Sequence, residues 1–182
     1  YHKTVRKKLD TIQPGLILAS NTLYTYANPE NSVTYVDMIS TDPNADARHL
    51  IFANRYDENQ GVPRNFMVER FGQNWGHWSI REPHELKLES ASILAHNGAV
   101  YYADQPLPSG NLQPGAIPLM KEVFDFVKER ESFCMNTDPV ADIAVLHETN
   151  SFFQKHVKLG LRGAREDAEG ATIAFTFLGE LV

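Results

Sequence analysis

Residues 65–111 decide the fold, and they read NFMVERFGQNWGHWSIREPHELKLESASILAHNGAVYYADQPLPSGN. Two short segments, residues 65–71 and 99–103, have the length and the apolar and aromatic content of strands. Between them, Pro83 predicts the start of a helix, because proline is favoured in a first helical turn. Apolar residues then repeat at helical spacing until Asn97, where a glycine follows and the helix is predicted to end. The stretch is therefore a strand–helix–strand unit, the building block of parallel sheets.

Outward from this unit, the chain continues to alternate between helix and strand patterns. Such alternation with short links predicts an α/β fold with a parallel sheet. The predicted elements are a helix at 2–12, a strand at 16–20 buried on both faces, a β-rich segment at 33–39, a strand or short helix at 48–56, and an amphipathic helix at 117–130.

The last quarter of the chain forms a second pattern of its own. Residues 141–147 have the composition of a buried strand, residues 153–169 that of a helix, and residues 171–177 that of another strand. We therefore expect two domains, residues 1–135 and residues 136–182, the second beginning with a β-α-β unit.

A carboxylate lies near the end of the first strand of the central unit, and aromatic rings follow that strand. Glu69 is followed closely by Trp75 and Trp78. A sugar-processing pocket needs this combination, because a carboxyl group moves protons and flat rings cover the apolar faces of a pyranose. The apolar surroundings of Glu69 predict a raised pKa for its carboxyl group, as a general acid requires. The alternatives are that Glu69 pairs with Arg64 or Arg70 or caps a turn, and that one or both tryptophans belong to the core.

Further polar residues lie where the predicted strands end, or close to Glu69. Asn21 and Gln105 are placed to bind sugar hydroxyls, and His77 is a third candidate for that role. A structural histidine is the alternative for His77. Glu30, in a predicted loop, is a second candidate for the catalytic acid, and Asp37 is expected to make structural hydrogen bonds.

Composition and motifs exclude several classes of function. A net charge of −6 argues against a nucleic-acid-binding protein, which would show a basic face. No apolar run approaches the roughly 20 residues of a membrane span. The single cysteine, Cys134, excludes an internal disulfide and a cysteine-based zinc site. The histidines show no metal-binding spacing and the glycines no dinucleotide-binding pattern, so we predict neither a metal nor another cofactor.

The ends of the sequence suggest a piece of a longer protein. The chain starts at Tyr1 in a helix-like segment and stops at Val182, directly after a strand pattern. Domains usually begin and end in exposed linkers, so we expect further sequence to accompany these residues.

Several of these segments resemble alpha-L-fucosidases. Residues 9–14, the following apolar run and Asn21 resemble a passage in the later half of that family's barrel. Residues 67–69 and then 74–76 resemble the family's Trp-Glu segment and its Trp-Gly-Tyr motif, and the loop at residues 106–110 resembles the one after its last strand. The tail from Val140 resembles the flavodoxin-like domain that follows the barrel in beta-galactosidases of the trimeric type.

The resemblance implies a fold and an activity. The fold would be the C-terminal part of a (β/α)8 barrel, followed by a partial flavodoxin-like β-α-β unit that makes a homo-oligomer. The activity would be retaining hydrolysis of an oligosaccharide or glycoside, with Glu69 as acid/base. The family's nucleophile lies on a strand that precedes these residues, and Gly15 stands where the family usually has an acid. A beta-galactosidase-type hydrolase and a non-catalytic carbohydrate-binding or assembly module are the alternatives.

Overall fold

The computed structural model describes residues 1–21, 32–42, 47–72 and 78–141. Helices and strands alternate along these ranges. The elements are α1 His2–Ile12, β1 Ala19–Asn21, a 3-10 helix Ser32–Tyr35, β2 Met38–Thr41, α2 Ala47–Glu58, β3 Arg64–Glu69, α3 Pro83–Ala95, β4 Ala99–Ala103, α4 Ala116–Lys128 and α5 Glu131–Cys134.

The four strands form one parallel sheet in chain order, β1-β2-β3-β4. Each strand pairs with the next one along the chain, as in the register of Asn65 with Ala99 and of Glu69 with Ala103. Parallel neighbours require a crossover connection, and helices α2 and α3 supply it between β2 and β3 and between β3 and β4. The predicted α/β class with a parallel sheet is confirmed.

One face of the sheet packs against helices α2, α3 and α4. Burial alternates along β3, so that Phe66 and Val68 are buried while their neighbours are only half-buried. Those two side chains join Leu86, Ile93 and Val123 of the helices in one apolar cluster. Burial of each side chain contributes about 1.5–3 kcal/mol relative to leaving it in water, so this layer stabilises the sheet.

The residues between the buried positions point away from helices α2, α3 and α4. We call this surface the far face of the sheet. Its side chains are mostly polar or half-buried, unlike the apolar cluster on the other side. By strand alternation and register it holds Asn21, Ser40, Asn65, Met67, Glu69 and Tyr101.

Helix α3 begins and ends where the sequence predicts. Pro83 occupies its first position after Glu82, and Asn97 takes a left-handed conformation (φ 56°) just beyond its end. The backbone N–H groups of Asn97 and Gly98 close the helix by donating to Leu94 and Ile93. Gly98 is required by space, because a Cβ there would lie 2.9 Å from the Ile93 side chain.

The first predicted strand was wrong in its position and in its burial. Strand β1 begins at Ala19, whereas Leu16 and Ile17 precede it and are 38% and 73% exposed. Gly15 adopts a turn conformation (φ 80°) just before them. Because β1 is the edge of the described sheet, a strand pairs with it on one side only, and the apolar run is not enclosed.

Two further segments can be compared with their predictions: one differs, and for the other the structure decides between two alternatives. The β-rich segment at 33–39 starts as a 3-10 helix, and its strand begins only at Met38. Before that strand, the Asp37 carboxylate accepts the N–H of Leu18 (2.7 Å) and pairs with Arg6, which is the structural role expected of it. Residues 48–56, predicted as a strand or a short helix, belong to helix α2.

The second domain lies almost entirely outside the described residues, which reach only residue 141. The division into residues 1–135 and 136–182 therefore stays a prediction. Among the helices of the described ranges, none has both the length and the apolar character to cross a membrane.

Candidate functional site

Polar side chains gather where the strands of the parallel sheet end. Asn21 and Glu69 are the last residues of β1 and β3, and Asp42 follows β2 directly. Since carboxyl ends of parallel strands meet at one edge of a sheet, these residues share that edge. This is where α/β folds place their binding sites.

Glu69 reaches the far face because it is in register with Ala103 and alternates with the buried Val68. Its carboxyl group is half-buried. Burial raises the pKa of Glu69, and the nearby negative charges of Asp42 and Glu89 add to that effect, while the charge of Arg81 opposes it. The direction is that predicted from the sequence, and it favours a protonated carboxyl group that can act as an acid.

Neither arginine suggested as an alternative partner of Glu69 takes that role. Arg64 lies at the other end of β3, 3.8 Å from Glu58. Arg70 is fully buried and pairs with Asp104, to whose Oδ1 its Nε donates at 2.8 Å. Arg70 does not pair with Glu69 because successive residues of a strand point to opposite faces of the sheet.

Arg81, which lies just before α3, contacts the end of β3. Its guanidinium donates to the backbone carbonyl of Glu69 (3.1 Å) and pairs with Glu89 through two hydrogen bonds. Arg81 therefore holds the main chain of Glu69 while its charge is largely matched by Glu89. The Glu69 carboxylate makes no ion pair with any described residue.

Asp42 is the residue of the site that sequence reasoning missed. Its Oδ2 accepts a hydrogen bond from Asn21 Nδ2 (2.8 Å), and its Oδ1 accepts one from the Tyr101 hydroxyl (2.9 Å). The signal was present, because Asp42 follows a strand just as Gln105 does. The proline after Asp42 indicated only a turn, and the β-rich segment was placed too early for its end to be recognised.

Tyr101 connects strand β4 to Asp42, at the carboxyl end of β2. It stands on β4, opposite Met67 of β3, and its hydroxyl reaches Asp42, which directly follows β2, two strands away. The pKa of Tyr101 is raised to about 12. Burial is the largest cause, a hydrogen bond with Ser40 opposes it, and the hydrogen bond to Asp42 and the charge of Asp42 add to it. The hydroxyl therefore keeps its proton near neutral pH and acts as a donor to the carboxylate.

The other predicted site residues have different outcomes. Asn21 joins Asp42 at the carboxyl edge. Gln105 is 8% exposed and its backbone N–H donates to Asp104 Oδ1, so it lies beside the buried Arg70 pair. Trp78 is 44% exposed. Its proposed contact with sugar, like that of Gln105, stays a prediction.

Three predicted candidates cannot be placed. Trp75, His77 and the alternative acid Glu30 lie outside the described residues. Within the described ranges, no three histidine, cysteine, aspartate or glutamate side chains are grouped so as to hold a metal ion.

Comparisons with known proteins do not name a family. No family model matches the sequence, and neither curated proteins nor solved structures give a match. The chemistry of the site therefore rests on its own residues.

Proposed function

We propose that the chain is the later part of a (β/α)8 barrel. Its four parallel strands follow one another in chain order, as in a barrel, whereas doubly wound sheets reverse their strand order at a switch point. Helix α1 lies on the same face as the other helices, since His2 Nε2 and the buried Ser20 Oγ are 2.8 Å apart. The polar far face would then line the interior of the barrel, with Glu69 at its functional end. The proposal requires further β/α units before residue 1.

We propose further that this barrel is a retaining glycoside hydrolase of the alpha-L-fucosidase-like kind, with Glu69 as acid/base. One observation carries the proposal. Glu69 stands at the carboxyl edge of a parallel sheet, with a pKa raised by burial and no ion pair to any described residue. A carboxyl group whose protonated form is favoured in this way is suited to give a proton to a leaving oxygen.

The reaction assigns two tasks to Glu69. In the first step a carboxylate nucleophile, contributed by sequence before residue 1, bonds to the anomeric carbon while Glu69 gives its proton to the departing oxygen. In the second step a water molecule attacks the same carbon, and Glu69 takes its proton as the bond to the nucleophile breaks. Both bond changes invert the carbon, so the sugar is released with its original configuration.

The test is Glu69→Gln in the complete protein that contains this chain. We expect kcat on a disaccharide, whose leaving group is poor, to fall about 10²- to 10⁴-fold. The matched control is Glu122→Gln, since Glu122 is exposed on α4 and pairs with Lys87. Turnover of the disaccharide within a few-fold of wild type would remove Glu69 from the acid/base role.

A substrate panel separates the proposed activity from its alternatives. Cleavage of 4-nitrophenyl α-L-fucoside but not of the β-D-galactoside supports the fucosidase-like proposal, and the opposite preference supports the beta-galactosidase type. Binding of a sugar without cleavage of any glycoside would support a non-catalytic carbohydrate-binding module.

A further inference from the structure

Asp42 lies beside Glu69 on the far face, but deeper in the sheet. Thr41 is in register with Phe66, so Asp42 stands level with Met67, two residues before Glu69 on the neighbouring strand. With ordinary strand spacing and rise, the Cα atoms of Asp42 and Glu69 are roughly 8 Å apart. That separation is close to the width of one pyranose ring with its hydroxyls.

Neutral donors from two other strands hold the Asp42 carboxylate in place. Asn21 of β1 donates to one oxygen and Tyr101 of β4 to the other. An ionised carboxylate offers about four lone-pair positions, so two hydrogen bonds leave acceptor capacity on each oxygen. Both partners are fixed on strands rather than on loops, which pre-organises the carboxylate before any ligand arrives.

The same face carries a further acceptor. Asn65 lies on β3, in register with Ser40 and two residues below Met67. Its Oδ1 is buried and has no hydrogen-bond partner in the part of the chain that the structure describes. An acceptor left in that state is one that a hydroxyl donor would satisfy.

We propose that Asp42 is a hydroxyl-binding residue of the candidate site. Its carboxylate accepts hydrogen bonds from ring hydroxyls of the terminal sugar, while Asn21 and Tyr101 act as positioning residues that orient it. The inference rests on the proposed function for the identity of the ligand as a sugar, and it deepens that function by assigning a subsite.

The depth of Asp42 determines which part of the substrate it meets. Glu69, nearer the mouth of the site, must reach the glycosidic oxygen. Asp42 lies about two residues further in, on the side toward which the terminal ring of the substrate would extend. A carboxylate there favours sugars with free hydroxyls at that end over chains that continue past it.

The experiment compares wild type with Asp42→Asn and Tyr101→Phe in the complete protein. Binding of L-fucose and of D-galactose is measured by calorimetric titration, and kcat and KM are measured on the two 4-nitrophenyl glycosides. Asp125→Asn is the matched control, because Asp125 is exposed on α4 and pairs with Lys121 (2.5 Å). Circular dichroism confirms that each variant is folded at the assay temperature.

We expect Asp42→Asn to weaken sugar binding about tenfold or more, as loss of hydrogen bonds to a charged acceptor does. Tyr101→Phe should weaken binding several-fold, and the double variant should be no worse than Asp42→Asn, since Tyr101 acts through Asp42. Asp125→Asn should bind like wild type. KM should rise more than kcat falls.

Two results would overturn the inference. Sugar binding that is unchanged in Asp42→Asn shows that Asp42 meets no hydroxyl. A near-complete loss of kcat in Asp42→Asn that added azide restores shows that Asp42 is the nucleophile. If no glycoside is cleaved but sugar binding depends on Asp42, the subsite stands and the proposed hydrolysis fails.

Discussion

The two ends of the sheet use the same residue types in opposite ways. At the amino end, Arg64 pairs with Glu58, His96 Nδ1 lies 3.4 Å from Glu58, and Arg64 donates to the His96 carbonyl. At the carboxyl end, the two carboxyl groups of Asp42 and Glu69 share one face, and neutral groups hold Asp42. At the first end the arginine charge is compensated. At the second end Arg70 pairs with Asp104 and Arg81 with Glu89, whereas the far-face carboxyl groups of Asp42 and Glu69 make no ion pair with any described residue.

Strand β3 carries both situations within six residues. Arg64 at its start is 8% exposed and neutralised, whereas Glu69 at its end is half-buried and makes no ion pair with any described residue. A half-buried carboxyl group without a cation is unfavourable in its charged form, so its position at the end of β3 is informative. The comparison teaches that the amino end stabilises the fold and that the carboxyl end is where chemistry is to be sought.

The largest expected effect comes from breaking the compensated end. Arg64→Met should lower the free energy of unfolding by about 3–5 kcal/mol, because it leaves Glu58 buried without its cation. Chemical denaturation followed by circular dichroism measures it. Lys7→Met is the matched control, since Lys7 is exposed on helix α1, away from Glu58, and should change stability by less than about 0.5 kcal/mol. If Arg64→Met changed the free energy of unfolding as little as the control does, the Arg64–Glu58 pair would not stabilise the amino end of the sheet.

A pH series on His96 sharpens the comparison further. Burial lowers the pKa of His96, and the charge of Glu58 opposes that shift. The folded protein therefore holds a neutral imidazole, whose contribution is fully present above the ordinary histidine pKa of about 6.5 and is lost as the pH falls through the lower folded pKa. Relative to His96→Gln, wild type should lose stability between pH 7 and pH 5. A difference that stays flat would contradict this assignment.

Glu69 should respond to pH in the opposite direction, with the smallest effect. Because its pKa is raised on folding, its contribution is present below the ordinary glutamate pKa of about 4.3 and is lost as the pH rises through the folded pKa. Glu69→Gln should therefore be slightly more stable than wild type at pH 7, by less than about 1 kcal/mol for this partly exposed group. Thermal melts at pH 7 and pH 4 test it, and the gain should disappear at pH 4.

Local signals predicted the elements that depend on near neighbours. Pro83 and Asn97 mark the start and the end of helix α3, because their backbone preferences act within one turn. The segment at 48–56 stayed ambiguous, since a short apolar run suits either a strand or a helix until its neighbours are known. Phe124 of α4 shows that residue type alone does not predict burial, because this apolar side chain is 53% exposed while its ring contacts Tyr102.

The candidate site was predictable only in part. Glu69 stood out because it lies near the end of a predicted strand among aromatic residues, and the direction of its pKa shift follows from that setting. Asp42 did not, because its importance comes from Tyr101, 59 positions later in the chain. A contact at that separation exists only once three strands are in register.

The sequence by itself determined the α/β class, the parallel sheet, the limits of α3 and the position of Glu69, because periodicity and chain stiffness act over a few residues. Only the tertiary structure decided which carboxylate each arginine meets and that Asn21, Asp42 and Tyr101 converge. The physical reason is that hydrogen bonds and ion pairs depend on distances of about 3 Å. Those distances are set by strand register and by the face on which each side chain lies.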